Sequence, residues 1–214
     1  MAAIRSGAAT AALLLAACGP KALSLPPDAV DRAATCGIVA AADARTRVEV
    51  SKPLPLEAQG RILHYALLAA SAGGAFDAEA AKSVTRRMGE LQDRVTKGKW
   101  RELAPACAAA FPATSAKAVT LPAAKLDAQL QCAELSDFLE TALASQEGYG
   151  NEIFEWARIR RAVNDRLGGA LRARVGGSAE AQRQEKRKAL ARAAALGAPV
   201  AVMAQCAKRF GPSG

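Results

Sequence analysis

The sequence predicts an all-α protein of two tandem, diverged four-helix units, each stapled by one disulfide. Three observations predict this. Alanine supplies 54 of the 214 residues, about half of the 51 % that are hydrophobic, and only nine residues are aromatic. A core of such small side chains needs closely spaced backbones, and alanine has the highest helix propensity while strand-favouring residues are scarce. No segment alternates apolar and polar residues with period two over the length of a strand. Finally, segments about a hundred residues apart resemble one another. A shift of 99 aligns Leu91 with Leu190, Gly98 with Gly197, Cys107 with Cys206 and Phe111 with Phe210. A shift of 96 aligns Cys36 with Cys132, and one of 95 aligns Gly73-Gly74 with Gly168-Gly169. This is the pattern of a tandem duplication. At 23 % charged residues the chain is not compositionally disordered, and collagen-like and multi-span membrane classes are excluded.

Unit one, residues 28–114, reads as helices over Asp28 to Arg47, Leu56 to Ala72, Asp77 to Lys97 and Trp100 to Phe111. In the third, Val84, Met88, Leu91 and Val95 fall on one face and Asp77 is placed to cap the start, while Gly73 and Gly98 are placed as stops of the second and third. Unit two, residues 122–214, repeats the plan over Pro122 to Gln146, Asn151 to Leu167, Ser178 to Leu196 and Ala198 to Phe210. Ile153, Trp156, Arg160, Val163 and Leu167 form its helical stripe; Asn151 and Ser178 serve as expected caps, and Gly168 and Gly197 as expected stops.

Residues 1–17 have the layout of a secretory signal: one basic residue, Arg5, then the apolar run Ala8 to Ala17, too short to span a bilayer. Its end, Leu15-Ala16-Ala17-Cys18, resembles the lipobox of bacterial lipoproteins. The resemblance covers about the first 18 residues and implies cleavage before Cys18, lipidation of Cys18, and anchoring on the periplasmic side of the cell envelope. Gly19 occupies the position where the family often carries an inner-membrane retention aspartate, so the outer membrane is the expected address. Residues 18–27, with Gly19, Pro20, Pro26 and Pro27, read as a flexible tether. Its ten residues reach roughly 30 Å at ~3.3 Å per residue.

Removing Cys18 leaves Cys36, Cys107, Cys132 and Cys206, an even number suited to an oxidising compartment. Four cysteines allow three pairings. Separations of 71 and 74 residues, with matching local settings, favour Cys36 with Cys107 and Cys132 with Cys206; crossed pairing between units is the alternative. Catalytic chemistry is thin. The sole histidine, His64, sits mid-helix on what reads as a half-buried face, and no G-x-S-x-G elbow, phosphate loop or C-x-x-C pair is present. Glu152 with Glu155, and Glu134 with Asp137, read as helix-start or solvated carboxylates. The expected protein is a non-enzyme with no cofactor and no metal.

The charge of +9 is unevenly placed. From Trp156 to Arg192 there are eleven basic and three acidic residues, a net of +8. Arg158, Arg160, Arg161, Arg183, Lys186, Arg187 and Lys188 are the candidate anionic-surface residues, for lipid headgroups, lipopolysaccharide or an envelope protein. An exported chain without a recognition motif is not expected to bind nucleic acid. The expected function is a non-enzymatic envelope scaffold or binding module with a basic face. The alternative is a carrier of a lipid or small apolar ligand in a cleft between units, lined by Leu63, Leu67, Phe154 and Trp156.

Overall fold

A computed structural model describes residues 24–116 and 118–211. The expected signal peptide and Cys18 lie outside these residues. Among them all regular structure is helical: α1 Ala29–Arg45, α2 Leu56–Ala70, α3 Ala78–Thr96, α4 Trp100–Ala110, a 3₁₀ turn Pro112–Ser115, α5 Lys125–Leu143, α6 Gly150–Val175, α7 Ala179–Leu196 and α8 Pro199–Phe210.

The first helix of each unit is its centre. Helix α1 packs against α2, α3 and α4, and α5 packs against α6, α7 and α8. Each is bonded to the last helix of its own unit: Cys36 to Cys107 and Cys132 to Cys206, with Cα atoms 5.4 and 5.7 Å apart. These separations are ordinary for a disulfide, so the staples fit the helix packing without backbone displacement. Alanine does the expected core filling, with Ala33, Ala34, Ala128, Ala133 and Ala193 almost wholly buried. Across α1 and α3, Arg87 grips Asp31 through Nε to Oδ1 at 2.6 Å and a second bond of 2.8 Å. This holds the Asp31 carboxyl below its usual range.

Four sequence expectations are corrected. Helix α6 does not stop at Gly168; it runs through Gly168-Gly169 to Val175, and Gly176, at φ +83°, ends it. Ile159, Val163, Leu167 and Leu171 recur every four residues and are all buried, and this stripe outweighs the ~1 kcal/mol that each internal glycine costs. The 95-residue shift therefore matches a loop, at Gly73-Gly74, with a helix interior. Asn151 is not a cap, since α6 begins at Gly150, whereas Asp77 and Ser178 do cap α3 and α7. His64 is fully buried rather than half-exposed. The end of the expected tether is fixed: Leu25 packs beside Tyr65, and Arg32 donates to the Pro26 carbonyl at 3.1 Å.

The two units share a core. Leu67 of α2 belongs to the largest buried cluster with Leu130, Leu139, Val163 and Met203 of the second unit. Gly60 of α2 allows α8 to approach: a Cβ there would lie 2.6 Å from Val200 Cγ2. Tyr149 donates to the Leu54 carbonyl at 2.6 Å, and the Phe76 N–H donates to the Arg187 carbonyl at 3.0 Å.

Candidate functional site

The α2–α3 loop, α3, α5 and α7 surround an open cleft of about 660 Å³ between the units, within the ~300–1,000 Å³ range of small-ligand sites. Its floor is apolar: Leu63 and Ala66 from α2, Leu190 from α7 and Phe138 from α5. Phe76 from the loop adds to the lining, edge-on to Phe138 with ring centroids 5.6 Å apart. The α3 wall follows from its second face. Val84 and Leu91 are buried inside unit one, so Ala78, Ala81 and Thr85 turn a small-residue surface to the cleft, with Lys82 and Arg86 beside them.

The charge of the lining is unbalanced. Lys82, Arg86, Lys186 and Arg187 provide four cations against two carboxylates, Glu134 and Asp137, a net of +2 when all are ionised. Both carboxylates have partners: Lys186 Nζ lies 3.0 Å from Glu134, and Arg160 lies 3.5 Å from Asp137. Burial pushes the Glu134 carboxyl up, against the pull of Lys186. On the α3 wall the partners are solvent-exposed neighbours, Glu79 at 2.8 Å from Lys82 and Glu90 at 3.8 Å from Arg86. These pairs are weak enough for a ligand anion to replace them.

Of the expected cleft residues, Leu63 lines it. Leu67 and Trp156 are core residues, and Phe154 is 58 % exposed elsewhere on α6. That part of the carrier expectation is corrected: the wall opposite α2 is α3, α5 and α7, not the start of α6. Phe76, Phe138, Lys82 and Arg86 were not singled out from sequence. Lys82 and Arg86 leave a trace there in the Ala78, Ala81, Lys82, Thr85, Arg86 stripe, on the face of α3 away from its apolar stripe.

The structure sorts the basic residues of 156–192. Arg160 forks onto Glu140 at 3.0 and 2.8 Å, and Glu140 in turn lies 2.6 Å from the Ser136 hydroxyl. Arg174 reaches Asp127, Arg192 reaches Glu185, and Lys186 reaches Glu134. Three of these acids, Asp127, Glu134 and Glu140, come from α5, so an acidic first helix neutralises the inner sides of two basic ones. Among the described residues, Arg158 and Arg183 pair only with exposed carboxylates of their own helices, Glu155 and Glu180. Arg187 donates to the Phe76 carbonyl at 2.5 Å and so belongs to the inter-unit joint. Arg161, Arg172 and Lys188 are exposed, with no carboxylate within 4.0 Å among the described residues.

His64 of α2 is buried and does not line the cleft. Its Nε2 sits 2.8 Å from the Ala194 carbonyl, and its buried Nδ1 has no partner among the described residues. No cluster of three or more His, Cys, Asp or Glu side chains suited to a metal ion occurs among the described residues, and none of their helices is by itself long and apolar enough to cross a membrane. No protein-family model, curated protein or solved structure matches the chain.

Proposed function

We propose that this chain is a non-enzymatic bacterial envelope lipoprotein: a disulfide-stabilised helical binding module tethered through Cys18, facing the periplasm, with the outer membrane as its address. The observation that carries this reading is the use of cysteine. Cys36, Cys107, Cys132 and Cys206 are joined in two pairs, which suits folding in an oxidising compartment. The fifth cysteine stands directly after an apolar run in a lipobox-like sequence. The basic helices α6 and α7 offer an outward face to anionic lipid, lipopolysaccharide or an envelope protein. Among the described residues, Arg161, Arg172 and Lys188 of this face have no carboxylate within 4.0 Å, and Arg158 and Arg183 are only weakly paired.

Co-sedimentation with vesicles containing anionic lipid tests the surface role. Binding at low salt falls when Arg161, Arg172, Arg183 and Lys188 are all changed to Glu, and salt weakens the native protein in the same way. Unchanged binding of the variant rejects the surface role. A second reading, a carrier of a lipid or small apolar ligand, is favoured by one observation: the open, apolar-floored cleft between the units.

A further inference from the structure

We propose that the inter-unit cleft binds a free single-chain amphiphile with an anionic head, of the fatty-acid class, its chain on the apolar floor and its carboxylate against Lys82 and Arg86 of α3. This rests on the carrier reading and specifies its ligand. The floor of Leu63, Ala66, Phe138 and Leu190 offers hydrocarbon without a polar group to desolvate, the condition for an unbranched acyl chain to leave water. Phe76 and Phe138 line the cleft edge to face, adding aromatic carbon for the chain to lie against. The volume, about 660 Å³, holds one chain and not a bilayer patch.

The head end is set by charge. Lys82 and Arg86 are one helical turn apart on the cleft wall, so both side chains reach one anion. They are also the lining cations whose carboxylate partners, Glu79 and Glu90, are themselves exposed and replaceable. Lys186 is held by the partly buried Glu134, and Arg187 by the Phe76 carbonyl, so these two fix the walls. Glu134 and Asp137 line the α5 wall, and they repel a carboxylate toward α3. The free acid is favoured over a membrane-embedded lipid because the cleft is bounded by four helices and the α2–α3 loop and admits a chain rather than lying flat on a surface.

Fluorescence titration of the oxidised full chain with two probes, dansyl-undecanoic acid and the uncharged phenylnaphthylamine, tests this. The native protein binds both. Thr141→Trp, at an exposed lining position, fills the cleft and abolishes binding of both. Lys82→Glu with Arg86→Glu weakens the acid about tenfold or more and leaves the uncharged probe unchanged. Circular dichroism melts check that each variant stays folded. If neither probe binds the native protein, the carrier reading fails and the inference with it. If both bind but charge reversal affects them equally, the anionic head is rejected while the carrier reading stands. If Thr141→Trp binds the acid as well as the native protein does, the site is elsewhere and the inference is overturned.

Discussion

The Nε2 of His64 lies 2.8 Å from the carbonyl of Ala194, joining the middle of α2 to the last turn of α7. A carbonyl only accepts, so the proton resides on Nε2, and the bond satisfies one of the C-terminal carbonyls that a helix cannot pair by itself. The only histidine of the chain is therefore a helix cap between two units. Burial dominates its titration, pushing its pKa down to about 4 against the upward pull of the Ala194 carbonyl.

A pH dependence follows with a definite sign. The folded value lies below the ordinary value of 6.5, so the folded state resists protonation more than the unfolded chain does. The neutral cap contributes fully above pH 6.5, and stability is lost as pH falls toward about 4, by up to about 3 kcal/mol. Urea titrations at pH 7 and pH 4.5 measure the loss. In His64→Gln the part of the loss due to this ring disappears; an equal loss in both proteins refutes the assignment.

Gly60 is expected to be intolerant for one reason, its neighbour Val200. Gly60→Ala places a Cβ 2.6 Å from Val200 Cγ2 and is expected to cost about 1–3 kcal/mol of stability. In a Val200→Ala background the clash is gone, and the helix-propensity gain of about 1 kcal/mol leaves Gly60→Ala neutral or stabilising. A double-mutant cycle by chemical denaturation reads the coupling, and additive effects contradict the close approach of α2 and α8.

The two disulfides span nearly equal loops, 71 and 74 residues, so chain entropy alone assigns each about 4 kcal/mol. Packing separates them. Cys132 and Cys206 lie in the core cluster that contains Leu67 of the other unit, whereas Cys36 and Cys107 lie in a smaller cluster with Tyr65 and Leu103. Cys132→Ala with Cys206→Ala is thus expected to lower stability more than Cys36→Ala with Cys107→Ala. Equal midpoints in denaturant would show that only loop closure matters.

Arg160 and Arg183 carry the same charge in the same basic stretch but do different work. Arg160→Ala strips the two-bond fork from Glu140, a carboxylate only 14 % exposed, and is expected to cost about 2 kcal/mol. Arg183→Ala loses an exposed pair with Glu180 and stays within about 0.5 kcal/mol of the native protein. Thermal melts of the two variants distinguish them, and matching losses would mean that the α5–α6 network is not structural.

Much of this architecture was legible in the sequence because its signals are local or periodic. Alanine content, the Val84-Leu91 stripe, the Asp77 and Ser178 caps and the spacing of four cysteines each act within a helix or through a matched pair of distances. The misses share another cause. Gly168-Gly169 read as a stop because propensity counts glycine without knowing that Leu167 and Leu171 are buried on the same face. The +8 of residues 156–192 read as a surface because Asp127, Glu134 and Glu140 are distant in sequence and adjacent only after α5 packs against α6 and α7. The cleft was anticipated between units, but its walls depend on which face of α3 is left over once Val84 and Leu91 are buried, which only tertiary packing decides.

The tethered envelope module is tested most directly by the intact mass of the protein purified from bacterial envelopes without reduction. The expected result is a chain beginning at Cys18, heavier than its amino acids by a diacylglycerol-type modification on that residue, and lighter by four hydrogens for the two disulfides. A chain still beginning at Met1, or one carrying an unmodified Cys18, contradicts it.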